Sequence, residues 1–272
     1  MILIDKMDND SYNIGKKRSD LLKVVRELDS KGFMCGSSGN ISIKIDDNSY
    51  LITPSGIPVF ILKEEDILLV DSEGSTINIR SDGLKASSEV LMHLLCYKKN
   101  ADIRSVIHSH APNASAFAIS GKSLDLCVMP EIIMVLGQIP LVPYMTPATG
   151  DLAGIVSDFI QKDHRAVLLE NHGVLVTGKD VFDACNNLTL VETYAKTYIN
   201  ALSLGNVNTL SGNQVERLNE LKKGLSFETT SITCSLEPSN EPGSKTMESK
   251  DSSIKELADM ITEIIRKEIL NI

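Results

Sequence analysis

Apolar residues recur every three or four positions in several segments of the chain, a spacing typical of amphipathic helices. In the first such segment, Leu21, Val24 and Leu28 share one helical face, and Gly32 follows as a C-terminal stop. The spacing predicts helices over residues 19–31, 87–99, 112–120, 151–162 and 180–204.

A period of two, the signature of half-buried strands, occurs between these helical segments. Ile41, Ile43 and Ile45 alternate with polar residues, and other short apolar runs have the length of buried strands. The strands predicted from such runs are 50–53, 67–70, 103–108, 166–169 and 174–177. Because strands and helices are interleaved to about residue 204 with no internal linker, we expect one α/β domain, residues 1–225, with helices covering a sheet.

The pattern changes after residue 225. More than half of residues 229–253 are Ser, Thr, Pro or Gly and none is aromatic, so residues 226–252 are predicted to form a flexible linker. Residues 253–272 regain a helical period with a continuous apolar stripe. The stripe comprises Ile254, Leu257, Ala258, Ile261, Ile264, Ile265 and Ile269. A tethered amphipathic helix of this kind needs a partner surface to cover its stripe.

Composition narrows the class of protein. The 272 residues carry 27 Lys and Arg against 36 Asp and Glu, a net charge of −9, which argues against general nucleic-acid binding because that needs a basic face. No apolar run approaches the ~20 residues of a membrane span, and the first residues do not resemble a secretory signal. The five cysteines include no C-x-x-C pair, so neither a thiolate zinc site nor a disulfide framework is predicted. We expect a cytoplasmic protein without nucleic-acid or membrane partners.

Three histidines occur where a sheet can bring them together. His108 and His110 close an apolar run, and residues two apart on a strand point to the same side. His172 lies in a turn sequence between two further apolar runs. Three neutral imidazoles with one open position form the usual catalytic zinc site. An H-x-H pair by itself is weak evidence for a metal, and its simpler interpretation is two polar residues hydrogen-bonded to backbone or water.

Glu89 is the candidate carboxylate, and it follows two serines in the first turn of a predicted helix. That position fits a glutamate interacting with the helix dipole, and it equally lets a carboxylate face a metal beside a phosphate-binding helix N-terminus. The loops 36–40 and 53–56 are rich in small donors, which suits either anion binding or ordinary turns. His93 falls one turn after Glu89, and we expect it behind the site or in the core rather than among the ligands.

Five short motifs together resemble the class II aldolase/adducin family. The motifs GN-x-S, ITPSG, SSE, H-x-H and NHG occur in order at residues 39–42, 52–56, 87–89, 108–110 and 171–173. The resemblance extends over about residues 19–205 and implies a three-layer α/β/α domain on a central, largely antiparallel sheet, assembled as a cyclic homotetramer with active sites between subunits. It also implies one zinc ion per chain, bound by Glu89, His108, His110 and His172. The phosphate of a sugar phosphate is then held by Gly39, Asn40, Ser55, Gly56, Ser87 and Ser88.

The activity that this resemblance implies is zinc-dependent retro-aldol cleavage of a 6-deoxyketohexose 1-phosphate such as L-fuculose 1-phosphate, yielding dihydroxyacetone phosphate and L-lactaldehyde. Zinc would act as the Lewis acid for the enediolate charge, and Glu89 would accept and donate the proton at the enediolate carbon. Glutamate in SSE favours aldolases over the family's pentulose-phosphate 4-epimerases, which carry aspartate there. The alternatives are cleavage of a 5-deoxypentulose phosphate, epimerisation or dehydration at the same site, and an adducin-like scaffold without catalysis.

The chain departs from the aldolase pattern at one position. Aldolases of this kind have a proton-donating tyrosine about nineteen residues after the H-x-H pair, where this chain has Met129. Glu131 and Tyr144 are the candidates to replace that donor. The departure affects the aldehyde half of the substrate rather than the metal site.

The linker and the C-terminal helix resemble the encapsulation peptides of bacterial microcompartment enzymes. This resemblance predicts that residues 253–272 dock on a shell protein or on another cargo protein and bring the enzyme into a microcompartment, which would confine a reactive aldehyde. The alternative is a helix that folds back on the enzyme's own surface.

Overall fold

A sheet of seven strands forms the centre of the computed structural model, which describes residues 2–77 and 83–224, with side chains between residues 13 and 222. The strands are β1 (Asn40–Lys44), β2 (Ser49–Ile52), β3 (Leu68–Asp71), β4 (Ser105–Ser109), β5 (Leu141–Val142), β6 (Ala166–Leu169) and β7 (Gly173–Gly178). Their order across the sheet is β3-β2-β1-β4-β7-β6-β5. Neighbouring strands are antiparallel except β5 and β6, which are parallel.

Helices cover both faces of the sheet. They are α1 (Ile2–Ser30), α2 (Val90–Lys99), α3 (Pro112–Ile119), α4 (Pro130–Val135), α5 (Gly150–Gln161), α6 (Val181–Leu204) and α7 (Gly212–Gly224). Buried residues of α1, α3 and α6 share one core with the sheet, and those of α2 and α5 share a second core on the opposite face. The described helices include none that is both long and apolar enough to cross a membrane.

The alternation of side chains along the central strands divides the two cores and leaves polar groups on one face. Ile41 and Ile43 of β1 belong to the core beneath α1 and α6. Asn40 precedes Ile41, and Ser42 lies between the two isoleucines. Both polar residues are buried on the α2 side. A strand residue's neighbours point to the opposite face, so the same alternation directs His108 of β4 to the α2 side with them.

The expected fold class is confirmed: helices flank a central, largely antiparallel sheet in three layers. The predicted strands and most predicted helices lie within a few residues of the observed ones. The first helix begins at Ile2 rather than near residue 19. Among its described side chains, those that pack on the core begin at Ile14, so the apolar pattern marks the packed part of the helix and not its full length.

Two α-helices and one strand were not predicted from the sequence: α4, α7 and β5. Helix α4 has six residues and strand β5 has two, too few to establish a period. Helix α7 is mostly polar, and Val215 and Leu218 pack in a small separate cluster. The linker predicted at 226–252 and the helix predicted at 253–272 lie outside the described residues.

Candidate active site

Strand β4 presents the H-x-H pair at its end. In the register of the sheet, His108 lies opposite Asn40 of β1 on one side and Leu175 of β7 on the other. Its Nδ1–H donates to the carbonyl oxygen of Val174 at 3.0 Å. A neutral imidazole with that tautomer keeps the lone pair of Nε2 free, and this atom lies 3.1 Å from Nε2 of His110.

The turn between β6 and β7 brings in the third histidine. Asn171 has a left-handed conformation with φ 56°, a region that asparagine tolerates better than most residues, and the N–H of His172 donates to the Leu169 carbonyl at 3.0 Å. The His172 ring centroid lies 4.6 Å from that of His108 and 5.1 Å from that of His110. The potential ligand atoms of the three histidines lie within 4.8 Å of one another.

Burial favours the uncharged form of these imidazoles. It lowers the pKa of His108 well below its ordinary value, and the adjacent His172 and His110 lower it further. Burial is also the largest cause of the lowered pKa of His110 and of His172. A neutral imidazole is the form that binds a metal ion.

Glu89 faces the histidine cluster from the N-cap of α2, where its side chain makes no capping hydrogen bond. Its Oε2 lies 3.5 Å from Nε2 of His108, and its Oε1 lies 3.6 Å from Nε2 of His172. Among the described side chains, Oε1 of Glu89 is one of the buried polar atoms with no hydrogen-bond partner. An unpaired buried carboxylate oxygen beside three neutral imidazoles is costly unless a cation joins them, and one oxygen with three nitrogens suits zinc. The residues therefore fit a divalent metal ion.

Gly173 makes this convergence sterically possible. A Cβ atom at this position would lie 2.5 Å from the carbonyl oxygen of Ser109, 3.0 Å from Cδ2 of His110 and 3.4 Å from Cε1 of His108. Gly39 plays a similar part on the other side, with φ 82° and a Cβ position 2.9 Å from the His108 carbonyl. Side chains at these glycines would displace the strand that carries the histidines.

A cavity of about 220 Å³ opens beside the histidines and Glu89. It is lined by Ser37, Ser38, Gly39, Asn40, Pro54, Ser55, Ser87, Ser88, Glu89, His110, Pro147 and His172. Five of the six residues expected to hold phosphate are therefore on its wall, and Gly56 is not. Among the described lining residues, which include no lysine or arginine, the groups available to an anion are hydroxyl groups, the Asn40 amide and backbone N–H groups.

Of the other lining residues, Ser37, Ser38 and Pro54 belong to the loops 36–40 and 53–56 that the sequence indicated, without an individual role, and Pro147 was not singled out. Pro147 precedes Ala148, which has φ 61°, in the loop before α5. The position of Pro147 at the cavity depends on the packing of α5 against α2. These helices are far apart in sequence, so no local pattern predicts this position.

None of Met129, Glu131 and Tyr144 lines the described cavity. Met129 is the N-cap residue of α4, and its side chain packs against the core shared with α6. Glu131 is exposed. Tyr144 is 52% exposed, and its backbone N–H donates to Oε2 of Glu170 at 2.8 Å.

His93 lies behind the site, as expected. It is fully buried, with Nε2 2.6 Å from Oδ1 of Asn40 and Nδ1 2.7 Å from Oγ of Ser42. Burial lowers the pKa of His93 to about 3, with a further decrease from His108 and an opposing increase from Glu89. Asn40 in turn donates from Nδ2 to Oε2 of Glu89 at 2.9 Å.

Sequence reasoning missed Glu192, a buried carboxylate on α6. Its Oε1 accepts from the backbone N–H and the Nδ2 of Asn113, and its Oε2 accepts from the N–H of Ala114 at 2.8 Å. The two backbone N–H groups belong to the first turn of α3, where a helix leaves its donors unpaired. Glu192 thereby fixes the chain just after His110. An acidic residue on the apolar face of α6 is the signal that could have identified it.

The three-layer fold and a carboxylate beside three histidines define an enzyme of the class II aldolase type. The chain belongs to the class II aldolase family: the family described as "Class II Aldolase and Adducin N-terminal domain" matches residues 19–199. This match confirms the resemblance on which the family assignment and the expectation of an enzyme were based. The C-terminal segment that resembles an encapsulation peptide lies outside the matched residues.

Individual relatives differ in the reaction that their names state. An L-fuculose phosphate aldolase from Methanococcus maripaludis is 34% identical over 178 residues, which cover 65% of this chain and 93% of that protein. A 3-oxo-tetronate 4-phosphate decarboxylase from Haemophilus influenzae is 29% identical over 204 residues, which cover 74% of this chain and 90% of that protein. The solved structure of an L-fuculose 1-phosphate aldolase matches with a TM-score of 0.69 and 30% identity, covering 76% of this chain and 96% of its own.

Proposed function

We propose that the protein is a zinc-dependent lyase that cleaves L-fuculose 1-phosphate, or a closely related 6-deoxyketohexose 1-phosphate, to dihydroxyacetone phosphate and L-lactaldehyde. The observation that carries this proposal is the unpaired buried Oε1 of Glu89, 3.6 Å from His172 and on the wall of a cavity rich in hydroxyl groups. The names of the aldolase relatives support the choice of substrate.

Different residues interact with the phosphate end and with the reacting end of the substrate. Ser55, Ser87 and Ser88 offer hydroxyl donors to the phosphate, and binding at this non-reacting end orients the carbon chain. His108, His110, His172 and Glu89 would hold the zinc ion. When bound, zinc supplies Lewis-acid stabilisation of the charge that develops as the carbon–carbon bond breaks.

Glu89 is the group that moves the proton at the reacting carbon. Cleavage leaves an enediolate of dihydroxyacetone phosphate, which must gain one proton on carbon to become product. The Oε1 atom of Glu89 has no hydrogen-bond partner in the described structure. With substrate oxygens in place of this carboxylate at the metal, Oε1 would be free to carry that proton and deliver it. In the direction of aldol addition, the same oxygen removes the proton.

A second candidate, decarboxylation of a 3-oxo acid phosphate, is favoured by one specific observation. Aldol cleavage must also remove a proton from the hydroxyl that becomes the aldehyde, whereas Met129, where a tyrosine is expected, packs against the core. Loss of carbon dioxide from a 3-oxo-tetronate 4-phosphate leaves the same enediolate and needs no such group. Glu89 then suffices as the proton donor, and the Haemophilus influenzae relative carries this activity in its name.

Product identification separates the two reactions. Zinc-loaded protein is incubated with a panel of ketose 1-phosphates and with 3-oxo-tetronate 4-phosphate, and products are assigned by mass spectrometry and NMR. Dihydroxyacetone phosphate with lactaldehyde supports the aldolase, and dihydroxyacetone phosphate with carbon dioxide supports the decarboxylase. An epimer or a dehydrated product identifies another reaction at this site, and no turnover of any sugar phosphate identifies an adducin-like scaffold.

We further propose a cytoplasmic homotetramer whose C-terminal residues 253–272 dock on a microcompartment shell or cargo protein. Large apolar side chains on the domain surface support an assembly, since Phe60 and Ile119 are each 65% exposed. The apolar stripe of residues 254–269 supports docking. Light scattering gives the number of subunits, and deletion of residues 229–272 tests the docking of the tail.

A further inference from the structure

A line of buried polar side chains connects the interior of the domain to Glu89. Tyr97 Oη lies 2.7 Å from Oγ of Ser42, which lies 2.7 Å from Nδ1 of His93. Nε2 of His93 lies 2.6 Å from Oδ1 of Asn40, and Nδ2 of Asn40 lies 2.9 Å from Oε2 of Glu89. The four residues behind Glu89 are all buried, so the contacts among these four are shielded from water.

The carboxylate of Glu89, at the end of this line, determines the direction of every hydrogen bond in it. A carboxylate only accepts, so Asn40 must donate from Nδ2 and must accept at Oδ1. His93 therefore carries its proton on Nε2, which leaves Nδ1 as an acceptor for the hydroxyl of Ser42. That hydroxyl then accepts from Tyr97. All donors point towards Glu89.

An amide in the middle of the line separates positioning from proton transfer. Asn40 has no group that takes up or releases a proton at ordinary pH, so a proton on Glu89 cannot leave through Asn40 and His93. The two carboxylate oxygens are consequently unequal. Oε2 is tied to Asn40, whereas Oε1 has no hydrogen-bond partner in the described structure.

We propose that Asn40 and His93 are positioning residues, which hold Oε2 of Glu89 so that Oε1 faces the metal and the substrate. This inference rests on the proposed function, because it assigns Oε1 the proton transfer at the reacting carbon. It also gives Asn40 a main role different from phosphate binding. Its Oδ1 and one N–H are used by His93 and Glu89, which leaves one N–H for a ligand.

The test replaces the imidazole without touching the cavity. His93→Phe removes the donor to Asn40, and we expect kcat to fall about 10–100-fold, the usual effect of losing a group that orients a metal-site residue, while KM stays within about twofold. His93→Gln keeps an N–H donor and should recover a large part of kcat. A raised KM with unchanged kcat in His93→Phe, or full activity of this variant, would overturn the proposal.

Two comparison variants separate positioning from general stability. Cys96→Ala, also buried on α2, should lower the unfolding temperature and leave kcat of the folded enzyme unchanged. In a Glu89→Gln background, His93→Phe should cause almost no further loss of kcat, since both substitutions remove the same function. Independent, multiplicative losses would contradict a role that acts through Glu89.

Two readouts do not depend on turnover. Nitrogen NMR of the holoenzyme should show His93 as the Nε2–H tautomer, and His93→Phe should weaken zinc binding about 10–100-fold. An Nδ1–H tautomer, or unchanged zinc affinity, would overturn the positioning role. If both results are obtained but no substrate is turned over, the proposed function is wrong, while the positioning of Glu89 by Asn40 and His93 is supported. 

Discussion

Replacing Gly173 by alanine tests whether close strand packing creates the histidine cluster. The added Cβ would lie 2.5 Å from the Ser109 carbonyl oxygen, about 0.9 Å inside the 3.4 Å at which ordinary contact begins. It would also lie 3.0 Å from Cδ2 of His110. Because the oxygen belongs to the backbone, the strands β4 and β7 must separate or the turn must tilt. Overpacking of this kind costs about 1–3 kcal/mol of unfolding free energy.

The expected functional loss is larger than the loss of stability. A displacement approaching 1 Å at catalytic groups costs about 10²-fold in rate, so Gly173→Ala should lose about that factor in kcat and bind zinc more weakly. Activity and zinc content are measured on protein that remains folded by circular dichroism.

Gly154→Ala provides the matched control. Gly154 lies in α5 with no atom within 4 Å of its Cβ position, and alanine in a helix interior is favoured over glycine by about 0.5–1 kcal/mol. This variant should be as stable as the parent or more so, with unchanged kcat. Wild-type zinc affinity and wild-type turnover in Gly173→Ala would refute the packing argument.

Three further predictions concern the metal, the proton and the tail. Purified protein should contain about one zinc per chain and lose activity to a chelator, and His108→Ala should abolish binding; full activity of metal-free protein would contradict this. Glu89→Gln should reduce turnover about 10²–10⁴-fold with little change in KM, whereas Ser88→Ala should mainly raise KM; wild-type turnover in Glu89→Gln would make Glu89 a plain helix-terminal residue. Deletion of residues 229–272 should leave catalysis nearly unchanged and abolish co-localisation with microcompartment shells; loss of the proposed tetramer or of activity on truncation would place the helix in the enzyme's own fold.

The histidine pair was predictable because the strand period is short and regular. His108 and His110 share a face by alternation, and β4 is buried along its whole length. The position of His172 also follows from local sequence, since its turn lies between two clear strands. Pro147 is different, because its approach depends on the packing of α2 against α5, elements far apart in sequence.

The partners of Asn40 show where sequence reasoning reaches its limit. Its place in a small-residue loop, at the start of a strand, predicts a residue near the cavity, and it does line the cavity. The pairing of β1 with β4 places it opposite His108, and the packing of α2 adds Glu89 and His93 as partners. Strand register and helix placement determine those contacts. The residue type alone does not, because an asparagine at position 40 could equally bind phosphate or hold a carboxylate.

The central claim is that Glu89 transfers the proton at the carbon of an enediolate of dihydroxyacetone phosphate, and solvent exchange tests it most directly. Zinc-loaded protein is incubated in D₂O with dihydroxyacetone phosphate alone, and the hydroxymethyl protons are followed by NMR. The account predicts replacement of one of the two hydrogens, with a single stereochemistry, in the wild type, and loss of that exchange in Glu89→Gln. Equal exchange in Glu89→Gln, or no exchange by an enzyme that releases dihydroxyacetone phosphate from its substrate, would contradict it.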